Sequence, residues 1–222
     1  MRIDAVAVGL PRVVPWLDRD VRTSIFKAPV AGPVRVVRHN LEGDQQSDPT
    51  VHGGEFKAVY AYAAESYDWW KAALGRELEP AAFGENLTIR EFDEESVAIG
   101  DVFRVGDSEL EATAPRLPCY KLGLRFGDPH MVQRFAEAGR WGIYFRVVRE
   151  GVLRAGDAVE RIHADPAGLA VYDIARVFVK DRDDRDTIER LAAHERLDPS
   201  WRSHFAEKLR EPDRDSVRRL QR

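Results

Sequence analysis

Val102-Phe103-Arg104-Val105-Gly106-Asp107-Ser108-Glu109-Leu110-Glu111-Ala112-Thr113 holds two short runs of β-forming residues, 102–105 and 110–113, with Gly106-Asp107 between them. Further runs lie at 34–37, 58–62, 86–89 and 143–148, each bounded by Gly, Asp or Pro. Strands this short, broken this often by turn residues, point to a mainly β barrel or sandwich and away from a doubly wound parallel sheet. The β pattern dominates residues 33–163.

Two helices interrupt it. Ala63, Tyr67, Trp70 and Leu74 recur at helical spacing ahead of Gly75, a residue suited to ending a helix. Only Trp70 of the Trp69-Trp70 pair lies on that stripe, which favours core packing over a stacking platform. Asp128-Pro129 offers a cap and a first-turn residue to a second helix, with Met131, Val132 and Phe135 on one face and Gly139 as the stop. Past His163 the composition changes at Ala164-Asp165-Pro166-Ala167-Gly168. Three amphipathic patterns follow: Val171, Ile174, Ala175 and Phe178, then Ile188, Leu191 and Ala192, then Trp201, Phe205 and Leu209. Asp198-Pro199 caps the last, and the mixed-sign run 181–186 reads as a solvated loop. The expected organisation is a β domain over residues 1–163 and a small all-α three-helix domain over 164–222, docked on it because such a bundle is marginal alone.

The chain of 222 residues carries a net charge of −4 and one cysteine, Cys119. A lone thiol excludes an internal disulfide framework, a four-cysteine zinc site and a self-contained iron–sulfur cluster. The N-terminal apolar stretch is broken by Asp4 and Pro11, so neither an export signal nor a membrane span is expected and the cytoplasm is the expected compartment. The acidic balance argues against a nucleic acid polymer as partner. It leaves the oligomeric state open.

Four segments could carry chemistry. In Ala114-Pro115-Arg116-Leu117-Pro118-Cys119-Tyr120-Lys121-Leu122 two prolines hold an extended, non-helical path, and Arg116 and Lys121 flank the thiol. Nearby cations favour the thiolate, the form that acts as nucleophile and soft metal ligand; a small buried hydrophobe is the alternative. In Asp48-Pro49-Thr50-Val51-His52-Gly53-Gly54-Glu55-Phe56-Lys57, Gly53 and Gly54 permit close backbone approach to a ligand, and His52 either contacts an anion or stabilises the turn. Phe83-Gly84-Glu85-Asn86-Leu87-Thr88 enters a strand with Asn86 and Thr88 on one face. Arg146, within an apolar strand, needs an anionic partner, either a structural carboxylate or a ligand phosphate.

Together and in this order these pieces resemble the MOSC family, specifically its YiiM-like branch. Ile25-Phe26-Lys27-Ala28-Pro29-Val30, Leu41-Glu42-Gly43-Asp44-Gln45-Gln46-Ser47-Asp48, His52-Gly53-Gly54, Phe83 to Thr88, Pro115 to Leu122 and the strand running on to Gly156-Asp157 carry the resemblance. The tail around Trp201-Arg202 is similar to the branch's three-helix extension. Asn40 and Glu55-Phe56 depart from the commoner pattern.

The resemblance implies a MOSC-type β-barrel that binds the molybdenum cofactor, a pterin dithiolene bearing a phosphate. Cys119 matches the family cysteine that ligates molybdenum or carries sulfur. Arg116, Lys121, Lys57 and Arg146 are expected to supply charge to the anionic pterin, with His52, Gly53, Gly54, Asn86 and Thr88 as further cofactor contacts. The implied activity is reduction of small N-hydroxylated compounds, such as the base analogue 6-hydroxylaminopurine, a detoxification. A lone cysteine then requires an external electron-donating reductase as partner. The alternatives are a cofactor or sulfur carrier using a Cys119 persulfide, and a non-catalytic barrel binding a nucleotide-like ligand. A sulfurase depends on an upstream pyridoxal phosphate domain, and about 30 residues before the barrel leave pyridoxal phosphate unexpected.

Overall fold

A computed structural model describes residues 1–48 and 53–210. Its strands are β1 (Arg2–Val8), β2 (Arg12–Trp16), β3 (Arg19–Thr23), β4 (Ala28–Pro29), β5 (Val34–Val37), β6 (Asn40–Leu41), β7 (Val59–Ala63), β8 (Leu87–Arg90), β9 (Val102–Val105), β10 (Ser108–Pro115), β11 (Ile143–Arg149), β12 (Gly151–Leu153) and β13 (Val159–His163). The helices are α1 (Ala64–Leu74), α2 (Tyr120–Phe126), α3 (Met131–Ala138), α4 (Val171–Val179), α5 (Arg185–Ala193) and α6 (Pro199–Arg210).

Eight strands form one mixed sheet in the order β13-β9-β10-β11-β7-β8-β1-β4. The resemblance led us to expect a closed barrel, and the ladder does not close. The start of β1 meets the turn leading into β13 through three backbone hydrogen bonds, Ile3 to Asp157 (3.0 Å), Gly156 to Ile3 (2.8 Å) and Val159 to Met1 (3.0 Å), around the isolated Arg2–Ala158 bridge, and these do not extend into a continuous ladder. The chain is sheet-dominated with several helices. Strands β12, β5 and β6 make a smaller sheet, and β2 and β3 a two-stranded ribbon.

Strand β7 is buried along its whole length, flanked by antiparallel β11 and parallel β8. A parallel neighbour requires a crossover, and α1 supplies it, beginning directly after β7. Trp70 and Tyr67 of α1 are buried, Trp69 is half-exposed, and Gly75 ends the helix at φ 64° as expected. The second expected helix is α3, with Met131 and Phe135 buried and Gly139 left-handed at its end. It begins later than the sequence suggests, because Asp128 accepts the His130 amide (2.9 Å) in a preceding turn.

Strand β1 lies inside the main sheet, so the sheet begins well before residue 33. The tail forms three helices, and Asp198 caps α6 through the Ser200 amide at 2.7 Å. On α4 the buried face contains Val177, while Phe178 is half-exposed against Trp201. The run 181–186 is only partly a free loop: Arg176 holds Asp181 at 2.9 Å and Asp184 at 2.8 Å, and Asp184 caps α5. The apolar residues Ile174, Leu191 and Phe205 of these helices belong to the same core as the sheet. No helix among the described residues is long and apolar enough to cross a membrane.

One buried carboxylate ties several of these elements together. Glu94 accepts the amides of Ala63 (2.6 Å) and Gly142 (3.1 Å) and a short hydrogen bond from the Tyr172 hydroxyl. Burial pushes its carboxyl up to about 7 despite those donors. The folded protein therefore binds this proton more tightly than the unfolded chain. The stability it contributes is full below the ordinary value of 4.5 and is lost as pH rises to about 7. At about 1.4 kcal/mol per pH unit, that loss is at most about 3 kcal/mol. Glu94→Gln is expected to flatten the fall of Tm across this window in a thermal-melt series, and a slope equal to wild type would exclude Glu94 as its source.

Candidate functional site

The chain leaves β10 at Pro115 and reaches Cys119 in an extended conformation, φ −137° and ψ 163°, immediately before α2. The two prolines thus act over three residues only. Beyond Cys119 the path is helical, with Leu122 donating to the Cys119 carbonyl at 2.9 Å. The Arg116 amide is tethered to the carbonyl of Gly142 at 3.3 Å. Gly142 has φ 69°, and a Cβ there would stand 2.5 Å from the Ala61 carbonyl and 2.6 Å from the Tyr60 ring. Only glycine permits this close approach of β7, β11 and the cysteine segment.

Cys119 and Arg116 line a cavity of about 90 Å³ with side chains from across the fold. Lys27 and Asp44 come from the N-terminal region, Lys57 and Tyr60 from the approach to β7, Asn86 from the entry to β8, Lys121 from α2 and Tyr144 from β11. Four cations thus surround one carboxylate. Asp44 accepts the Gly9 amide (2.8 Å), the Asn86 side-chain amide (3.0 Å) and a short contact from Lys27. Burial lowers the Lys27 pKa, and Asp44 opposes the shift. Burial likewise lowers that of Lys57, with Asp198 pulling the other way. The Lys121 ammonium donates to the Ser47 hydroxyl at 3.3 Å.

Arg116 differs from these. It is 5% exposed, and its Nη1 is buried without a hydrogen-bond partner. Its guanidinium lies 5.0 Å from the centre of the Phe135 ring. Burial disfavours its charge, but Cys119, Tyr60 and Tyr144 outweigh that, and its pKa moves up. Tyr144 in turn is pushed up to about 12 by burial, against the pull of Arg116. The cavity therefore holds a cationic donor whose partner the protein does not provide. An anionic group is what would satisfy it.

The expected residues divide as follows. Cys119, Arg116, Lys121, Lys57 and Asn86 meet at the cavity, although the Asn86 amide is occupied by Asp44, the Ala7 carbonyl and the Tyr60 amide. The Thr88 hydroxyl donates to buried Glu85 at 3.1 Å, outside the cavity lining. Arg146 also stands elsewhere, paired with buried Glu111 at 2.9 Å; of its two candidate partners it has the structural carboxylate. Gly53 and Gly54 do not line the cavity. Gly54, at φ 90°, starts the short turn that delivers Lys57. His52 lies outside the described residues. Lys27, Asp44 and Tyr144 were not expected at the site; the segments holding the first two were visible only as pieces of the family resemblance. Asn40, one of the departures, donates to the Asp44 carbonyl at 3.0 Å and so braces that loop.

Among the described residues no three His, Cys, Asp or Glu side chains come close enough to hold a metal ion. A metal at Cys119 would need further ligands from a cofactor. The donors present suit the molybdenum cofactor in kind: a thiol for a soft centre, and an unsatisfied buried cation with ammonium groups for an anionic pterin. The cavity, of about 90 Å³, opens to solvent on one side.

The family model described as MOSC domain matches residues 48–160. Bacillus subtilis (strain 168) YflK is 39% identical over 201 residues, covering 90% of this chain and 91% of that protein. Escherichia coli (strain K12) YiiM is 31% identical over 182 residues, 81% of each chain. A Gibberella moniliformis protein named Reductase is 32% identical over 166 residues, 73% of this chain but 29% of that longer one. The crystal structure of Geobacillus stearothermophilus YiiM superposes with a TM-score of 0.79 at 31% identity, covering 94% of this chain and 98% of that one.

Replacing Arg116 tests the cavity's electrostatics without any ligand. Arg116→Met removes a buried charge that lacks a full set of partners, so ligand-free protein should melt at the same or a higher temperature. Alkylation of Cys119 by iodoacetamide at neutral pH should slow several-fold, since the neighbouring cation favours the reactive thiolate. A lower Tm with unchanged alkylation would show that Arg116 serves packing alone.

Proposed function

This chain belongs to the MOSC domain family, in its YiiM-like branch, and from that premise we propose that it is a molybdenum cofactor-dependent oxidoreductase that reduces N-hydroxylated compounds, including base analogues of the 6-hydroxylaminopurine kind. The observation that carries this reading is the pairing, in one cavity, of Cys119 with a buried Arg116 nitrogen that has no protein partner. The net change is R–NHOH plus two electrons and two protons to R–NH₂ plus water. The bound cofactor supplies the two-electron exchange.

The chain's own part is to hold and orient. Cys119 offers its sulfur as the protein ligand to molybdenum. Arg116 directs an N–H at negative charge inside the cavity, where low dielectric strengthens it. Lys27, Lys57 and Lys121 add positive potential, and Asp44 fixes Lys27 in place. Because the chain has one cysteine and that one is committed, the electrons come from a separate reductase. The fungal relative supports this: the region similar to this chain is a minor part of a longer protein that bears the name Reductase.

A cofactor or sulfur carrier that uses a Cys119 persulfide is the second reading, favoured by the partial exposure of the thiol. Protein purified from a host that makes the cofactor is assayed for molybdenum and pterin, and for reduction of 6-hydroxylaminopurine with viologen as artificial donor. Stoichiometric cofactor and turnover that Cys119→Ala abolishes are expected. Bound cofactor without turnover would support the carrier, and absence of both metal and pterin would overturn both readings.

A further inference from the structure

Phe26 falls between Ile25 and Lys27, two residues of the cavity lining, and its ring carries two guanidiniums: Arg12 from β2 at 3.8 Å and Arg125 from α2 at 5.1 Å. Neither forms an ion pair among the described residues, and the Arg125 Nε is buried without a hydrogen-bond partner. Burial lowers the Arg125 pKa, Tyr67, Glu85 and Glu79 act against that, and the charge of Arg12 adds to it. A third arginine, Arg19 of β3, lies 4.9 Å over the half-exposed ring of Tyr120, the residue after Cys119. The β2–β3 ribbon is seated here because the Trp16 ring packs over Gly123, 3.5 Å from where a Cβ would stand.

Like charges gathered on one ring repel, and stacking leaves the N–H edges of each guanidinium unused. A phosphate resolves both at once. It is doubly charged, and its oxygens match the planar forks of two arginines. The shared ring holds both guanidiniums close to it.

We propose that Arg12 and Arg125, stacked on Phe26, bind a phosphate monoester, and that the N-hydroxylated substrate is taken as a nucleotide, with its phosphate there and its N-hydroxylamino group entering the Cys119 cavity. The second half rests on the reductase reading; the phosphate site does not. The pterin of the cofactor carries the same chemistry, so the source of the phosphate has to be separated experimentally. The cavity cations Lys27, Lys57, Arg116 and Lys121 are distinct from this pair.

Cofactor-loaded protein is titrated calorimetrically with AMP, and kcat/KM is measured with viologen for 6-hydroxylaminopurine and for its ribonucleoside 5′-monophosphate. In the Arg12→Gln/Arg125→Gln variant, AMP affinity and kcat/KM for the monophosphate should fall roughly 10- to 100-fold, the scale of losing charge-assisted hydrogen bonds. Turnover of the free base and the content of molybdenum and pterin should stay unchanged. Loss of pterin would overturn the assignment, because the arginines would then hold the cofactor. Equal kcat/KM for base and monophosphate in wild type would overturn it too, as would AMP binding indifferent to the substitutions. If no N-hydroxylated compound is reduced at all, the reductase reading fails by itself and the AMP titration still decides the phosphate site. Should the double variant not fold, Arg12→Gln alone, on the exposed ribbon, gives the same comparisons.

Discussion

A guanidinium withdrawn from water must be compensated by what surrounds it, and Arg116 is compensated only in part. The Phe135 face, the Cys119 sulfur and the Tyr60 and Tyr144 hydroxyls bear on it, yet no carboxylate pairs with it among the described residues and Nη1 has no acceptor. Leaving a buried charge without its partner costs roughly 3–5 kcal/mol. Some other buried charges among the described residues are matched internally: Glu111 faces both Arg146 and Arg196, and Asp101 faces Arg161. What sets Arg116 apart is its place: its orphaned Nη1 lies in the cavity that the lone cysteine also lines, where an incoming anionic group could satisfy it.

That placement depends on how β10 and β11 end. Their ladder shifts register between Ala112 and Ala114, where the Thr113 hydroxyl bonds to the carbonyls of Phe56 and Tyr144. A bulge re-aims the residues beyond it, here Pro115 and Arg116. Gly142 then receives the Arg116 amide on one side and donates to Glu94 on the other. Glu94 in turn reaches Tyr172 of α4. The C-terminal helices are thus connected to the cysteine segment through one glycine and one buried carboxylate. A change in α4 can reach the site along that route without touching it.

Local pattern was enough for β5 and β9, whose residues alternate between clean turns, and for α1, where Trp70 and Gly75 mark the face and the end. It was not enough for β1. Ile3 and Ala5 flank a register shift against β8, and an irregularity there breaks the period of two by which a strand is read. Helix α2 is seven residues long, too short to display a repeat, and it follows two prolines that suggest the opposite. On α4 the choice between Val177 and Phe178 turned on Trp201, some twenty positions away, which covers the larger side chain from outside the core. At the site, Cys119, Arg116 and Lys121 could be grouped because they are near in sequence. Lys27, Asp44 and Tyr144 join them only through the sheet order. Arg146 shows the converse: it lies two residues from Tyr144, on the same side of β11 by alternation, but one step along the strand brings it to Glu111 instead of the cavity.

Charge narrows what the cavity can accept. The chain as a whole is acidic, with a net charge of −4, so anions are repelled over most of its surface and attracted where the lysines and Arg116 converge. Asp44 limits that attraction by occupying Lys27, whose charge would otherwise add to an already costly cluster. The thiol and the unsatisfied Arg116 nitrogen line the same cavity as the lysines, so positive potential and the nucleophilic sulfur are brought to one place.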